Sequence, residues 1–164
     1  MLRYLDVQNI LDKNDLILQE SGCVGSENER GNTYMKKIGI VTDSHSSISQ
    51  EEAEKLGIFV LPMPFYIDGE CFYESVTLSR ELFFEKLAAG ADITTSQPSP
   101  TAVMEIWDKA LEQFEKILYL PISSGLSGSY ETAMMLAKDE AYEGRVLVVD
   151  DGQVAAPLHQ MVLD

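Results

Sequence analysis

A chain of 164 residues with 45% hydrophobic content is long enough to bury a core of its own, and it fits one domain by length. A formal net charge of -15 argues against nucleic acid and anionic membrane surfaces as partners, because their phosphates would be repelled. Cys23 and Cys71 match neither a metal spacing nor a disulfide framework. No apolar run approaches the roughly 18 residues of a membrane span, and the start lacks a signal-peptide pattern, so the sequence reads as a cytoplasmic soluble protein.

Residues 1–34 differ from the rest. Leu2, Leu5, Ile10 and Leu11 can share a helical face, but residues 20–33 form a polar, Gly-containing linker without periodicity. Met35 stands directly before a strand and makes a natural start. The expectation is that 1–34 is an extension or linker outside the fold, and that 35–164 carries the folded domain.

From there the elements follow in order. A strand over 37–42 empties into Asp43-Ser44-His45-Ser46-Ser47. Ser49, Glu51 and Glu52 open a helix that Gly57 stops. Residues 58–67 make a second extended apolar segment, and its prolines at 62 and 64 place it at an edge or bulge. Asp68-Gly69 is a hairpin turn with residues 70–73 as the return strand. Ser79 caps a helix over 80–89, with Leu82, Phe83 and Leu87 on one side. Residues 94–100 read as a hydroxyl-rich loop between two helices. Ser99-Pro100 opens the next helix, which the apolar spacing of Val103, Ile106, Trp107, Ala110, Leu111 and Phe114 carries to about residue 115. A strand over 116–121, a Gly/Ser loop over 122–129, a helix over 130–138, a strand over 145–149 and a helix-like run to Asp164 complete the chain.

Alternating strands and helices, with near-continuous apolar strands, predict an α/β domain with a largely parallel sheet flanked by helices. Ligands of such sheets bind beyond the carboxyl ends of the strands. The loops after Asp43, Ile122 and Asp150 are therefore expected to converge on one rim.

Several sharper chemistries fail on residues. A nucleophile elbow needs glycines on both sides of its serine, and Ser129 stands where the second one would follow Ser127. Only His45 and His159 could serve as bases, so a hydrolase or phosphatase-like enzyme using Ser124 or Asp43 is kept as the alternative reading. No Gly-Lys-Ser/Thr and no dinucleotide fingerprint occurs. What remains is a set of neutral donors: the hydroxyls of Thr94, Thr95, Ser96, Ser123, Ser124 and Ser127, with the backbone N–H groups after Gly125. The plain reading of these serines is turn and cap chemistry. The functional one is a grip on a carboxylate or phosphate without turnover. Met63, Phe65, Leu126, Met134 and Met135 add apolar side chains in quantity, so an acid head with an apolar tail describes the ligand.

Three stretches, Ile40-Val-Thr-Asp-Ser44, Thr94-Thr-Ser-Gln-Pro-Ser99 and Ile122-Ser-Ser-Gly-Leu-Ser-Gly-Ser-Tyr130, resemble in order and spacing the signatures of the DegV family of fatty acid-binding proteins. The resemblance spans residues 35–164 and implies the N-terminal α/β domain of a two-domain fold, with the second domain missing or incomplete. It implies a bacterial carrier of one long-chain fatty acid, needing no cofactor or metal, not itself an enzyme, and serving a separate fatty acid kinase. Thr95 and Ser124 are the head-group contacts it implies, with Ser96, Ser123, Gly125, Leu126, Ser127, Asp43 and Ser44 around them. His45-Ser46-Ser47 and Asp151 depart from the family pattern.

Overall fold

The structure is a computed structural model that describes residues 36–73 and 76–164. The expectation of an extension over 1–34 lies outside the described residues. A four-stranded parallel sheet runs in the order β2-β1-β6-β7. Its centre is β1 (Lys36–Asp43) beside β6 (Phe114–Leu120), with Ile38 opposite Lys116 and Thr42 opposite Leu120. The edges are β2 (Phe59–Leu61) and β7 (Val146–Val148).

The helices are α1 (Gln50–Leu56), α2 (Arg80–Ala88), α3 (Pro100–Leu111), α4 (Ser129–Leu136) and α5 (Ala156–Leu163). Three of them start where local chemistry says they should. Ser49, Ser79 and Ser99 each accept the N–H three residues on, which supplies a partner to an otherwise orphaned helical donor. Pro100 follows Ser99 at the first helical position, where its missing N–H costs nothing.

The core forms where α3 lies on the parallel sheet. Val103, Trp107, Ala110 and Leu111 bury against Val41, Ile117, Tyr119, Val146 and Val148. Trp107 is wholly buried and meets Tyr119 and Tyr142 edge-on, with ring centroids 5.6 and 5.2 Å away. Such edge-to-face pairs add about 1 kcal/mol each beyond the area they bury.

Three expectations need correction. The apolar segment over 58–67 is not one strand. Pro62, with no N–H to continue a ladder, separates β2 from β3 (Pro64–Ile67), which belongs to a second, antiparallel sheet of order β4-β3-β5. Within that sheet the Asp68-Gly69 turn is as expected: both residues have positive φ, and β4 (Glu70–Tyr73) returns along β3. The segment at 94 is not simply a loop between helices either. The β-branched run Ile93-Thr94-Thr95 forms β5, antiparallel to β3, with Thr95 opposite Phe65. On α2, Phe83 packs edge-on to Phe65 at 5.6 Å, whereas Leu82 and Leu87 are exposed.

The third correction is Phe114. It continues the helical spacing from Ala110 and Leu111, yet α3 stops at Leu111 and Phe114 opens β6. Its ring lies over Gly39 of β1, where a Cβ would stand 2.7 Å from ring carbons. Gly39→Ala is therefore expected to destabilise the fold by about 1–3 kcal/mol through overpacking. Urea denaturation measures this, and Phe114→Leu in the same chain should recover part of the loss.

Candidate functional site

The carboxyl ends of β1 and β6 are held together by a buried carboxylate. Asp43 has no solvent exposure. Its Oδ2 accepts the Ile122 N–H at 2.7 Å, and its Oδ1 accepts the His45 N–H at 2.9 Å, with His45 Nδ1 at 3.3 Å. A short 3-10 turn, Ser44–Ser46, follows at once, and the Ser46 hydroxyl donates back to the Asp43 carbonyl at 2.8 Å. Ser44 Oγ accepts the Met63 N–H at 3.2 Å, fixing the crossing between the two sheets. The Ala155 N–H donates to the His45 carbonyl at 2.7 Å, which ties this turn to the start of α5. Asp43 and Ser44 thus have their polar atoms committed to holding the rim.

The Gly/Ser loop between β6 and α4 is arranged around Ser123. Its N–H donates to the Gln153 carbonyl at 3.1 Å, and its hydroxyl accepts the Gly125 N–H at 3.2 Å. Its carbonyl accepts the N–H groups of Leu126 and Ser127, at 2.9 and 3.3 Å. The backbone donors expected to form an open anion nest after Gly125 therefore turn inward at residues 125–127. No serine caps α4 by the usual bond; Gly128 holds that position, while the Ser129 N–H donates to Ser127 Oγ at 3.2 Å. The Ser127 and Ser129 hydroxyls lie 2.8 Å apart.

Ser124 is held differently, by Asp150, whose loop was expected at this rim but which was not among the expected ligand contacts. Its N–H donates to Asp150 Oδ1 at 3.2 Å and its hydroxyl donates to Asp150 Oδ2. The Gly152 N–H also reaches Oδ1, at 3.1 Å. Partial burial works to raise the Asp150 pKa, but the Ser124 hydroxyl and the two N–H groups outweigh it and hold the carboxyl below its ordinary value. Asp151 is the opposite case. Burial dominates and raises its pKa, the Gln153 N–H gives one bond at 2.9 Å, and Oδ2 is buried without a partner. The signal for Asp150 was an acidic residue just past the end of a strand.

Thr95 closes β5 and is exposed, as is Ser96, whose hydroxyl donates to the Gln97 carbonyl at 3.1 Å. The contact from this segment to the Gly/Ser loop and α4 is made by Gln97. Its amide donates to Thr132 Oγ1 at 3.3 Å, and its Oε1 passes so close to Gly128 that a Cβ there would stand 2.8 Å away. Of the expected apolar lining, Met63 is buried and Met134 packs on the core, while Leu126 and Met135 are exposed. A cleft of about 270 Å³ lined by Ile38, Ile40, Leu56, Phe114 and Val162 lies nearer the amino ends of the strands than the hydroxyl loops. Among the described residues there is no group of metal-ligating side chains, and no helix is long and apolar enough to cross a membrane.

Residues 37–164 match the DegV family, a family described as uncharacterised proteins. A DegV domain-containing protein of Caldanaerobacter subterraneus is 36% identical over 116 residues, which are 71% of this chain and 41% of the relative. A DegV domain-containing 15.5 kDa protein of Staphylococcus aureus is 31% identical over 121 residues, 74% of this chain and 85% of the relative. Among solved structures, a Thermus thermophilus DegV family protein described by its fatty acid binding superimposes with a TM-score of 0.70 at 34% identity, over 77% of this chain and 45% of that one. The chain belongs to the DegV family. It spans about two fifths of the length of the Caldanaerobacter relative and most of the staphylococcal one.

The rim geometry makes a direct test of Asp43 possible. Asp43→Ala leaves the buried Ile122 and His45 N–H groups without their acceptor and is expected to cost about 3 kcal/mol or more. Asp43→Asn keeps an oxygen for one of them and should lose less. Chemical denaturation of the two variants measures the difference.

Proposed function

We propose that this chain binds one long-chain fatty acid at the rim formed by the Gly/Ser loop and the end of β5, and does not turn it over. In this reading Thr95 and Ser124 contact the carboxylate. Ser96, Ser123, Gly125 and Ser127 shape the two loops around it, and Leu126 with the exposed Met135 lies along the acyl chain. Asp43 and Ser44 act beneath, by fixing the strand ends. The observation that carries the reading is the likeness in fold and sequence, at 34% identity, to a Thermus protein described by its fatty acid binding. The local chemistry supports it, since hydroxyls beside exposed apolar side chains suit an amphipathic acid. A head group held at exposed Thr95 is also within reach of a second protein, so we extend the proposal to a cytoplasmic carrier that presents its acid to a separate fatty acid kinase.

A hydrolase or phosphatase would need Ser124 or Asp43 as nucleophile, and the geometry speaks against both. Asp43 is wholly buried with both oxygens bonded. Ser124 Oγ faces a carboxylate whose lowered pKa makes it a poor base.

Lipid extraction and mass spectrometry of the purified chain should find a long-chain fatty acid in about equimolar amount. Thr95→Ala and Ser124→Ala should each weaken fatty acid binding by about tenfold, the loss of one hydrogen bond to a charged or polar head. Purified protein without any bound or bindable fatty acid would overturn the reading. So would ester or phosphate hydrolysis that disappears in Ser124→Ala or Asp43→Asn.

A further inference from the structure

Gly128 stands at the N-cap of α4 without doing what a cap residue does. It makes no capping bond, although Ser, Asp or Asn there would give an orphaned helical N–H its partner. Its φ of -74° and ψ of 9° lie outside the left-handed region that favours glycine, so the backbone does not call for glycine either. What calls for it is a neighbour. A Cβ at 128 would stand 2.8 Å from Gln97 Oε1 and 3.9 Å from Gln97 Cδ, and beyond its own chain neighbours it would meet nothing else within 4 Å. The bare surface at 128 accommodates one side chain, and that side chain comes from the segment after β5.

Gln97 lies two residues past Thr95, the last residue of β5. Its amide oxygen sits over Gly128, at the positive end of the α4 dipole. Its amide N–H donates to Thr132 Oγ1 at 3.3 Å, one turn further along the helix. One planar amide therefore spans the first turn of α4. The chain around it is fixed on both sides: the Ser96 N–H donates to the Pro64 carbonyl at 3.3 Å, Pro98 is buried, and Ser99 caps α3. Ser124 precedes Gly128 by four residues in the same loop. The contact thus joins the segment that carries Thr95 to the segment that carries Ser124, close to both.

We propose that Gln97 is a positioning residue: it keys the end of β5 onto the first turn of α4 through the gap left by Gly128, and so sets the spacing between Thr95 and Ser124. It acts through Thr95 and makes no bond to the acid itself. Gln97 and Gly128 then work as one unit, and Gln97 matters to binding only while Thr95 is there to be placed. The inference rests on Thr95 and Ser124 being the head-group contacts, as proposed above.

The test is calorimetric titration of the full chain with oleate, kept below its aggregation threshold, with urea denaturation of each variant alongside. Gln97→Ala should weaken oleate binding about fivefold, the net worth of about one hydrogen bond. In a Thr95→Ala background the same change should cost less than about twofold, because the residue it places is gone. A merely structural role for Gln97 would cost the same in both backgrounds. Gly128→Ala should weaken binding about fivefold on its own and add less than about twofold to Gln97→Ala, since the new Cβ then meets nothing. Its cost in stability as a poorer cap should be the same with and without Gln97→Ala. An undiminished effect of Gln97→Ala in the Thr95→Ala background, or no effect of Gln97→Ala alone, would overturn this inference and leave fatty acid binding standing. Those two results decide the matter even if Gly128→Ala does not fold. Oleate binding unaffected by Thr95→Ala would overturn the placement of the head group, and this inference with it. A wild type that binds no oleate would overturn the proposed function itself.

Discussion

The rim depends on one carboxylate sealed inside the protein. Parallel strands end with orphaned backbone donors, and loops leaving those ends have no ladder to hold them. Asp43 meets both needs. It accepts an N–H from its own 3-10 turn and another from Ile122, the first residue of the Gly/Ser loop past β6. A carboxylate fully out of water is costly unless its lone pairs are satisfied, and here each oxygen has a donor. With it in place, Ser44 fixes the crossing into the smaller sheet and the His45 carbonyl receives the start of α5.

Above that foundation the Gly/Ser loop is notable for how little it leaves unbonded. Ser123 gathers the N–H groups of three residues, and Ser127 and Ser129 serve each other. Ser124 is held by Asp150. A loop that satisfies itself is rigid before any ligand arrives, which lowers the entropy lost on binding. The same self-sufficiency means that a ligand must replace bonds as well as add them. In a chain with a net charge of -15, it must also do so against an unfavourable field.

The parts of the fold legible in sequence were those set by neighbours in the chain. Ser49, Ser79 and Ser99 cap helices through bonds spanning three residues, and the Asp68-Gly69 turn needs only its own backbone preference. What was not legible was decided by residues far away. Phe114 fits the helical period of α3, and only the bare surface of Gly39 in another strand explains why it opens β6 instead. The division at Pro62 depends on a second sheet waiting for β3. The meeting of the loops after β1, β6 and β7 followed from strand polarity. The bond from Ser124 to Asp150 spans 26 residues, and the inward turn of the N–H groups depends on the Ser123 carbonyl and hydroxyl together. Neither leaves a periodicity to read.

Thr95 belongs to the antiparallel ribbon and Ser124 follows a strand of the parallel sheet, and the two layers touch near the site through Gln97 lying over Gly128 and Thr132. An acid held by both residues would act as a rivet between separately built plates. Its binding energy would then be felt as stiffness of the ribbon as well as occupancy of a pocket.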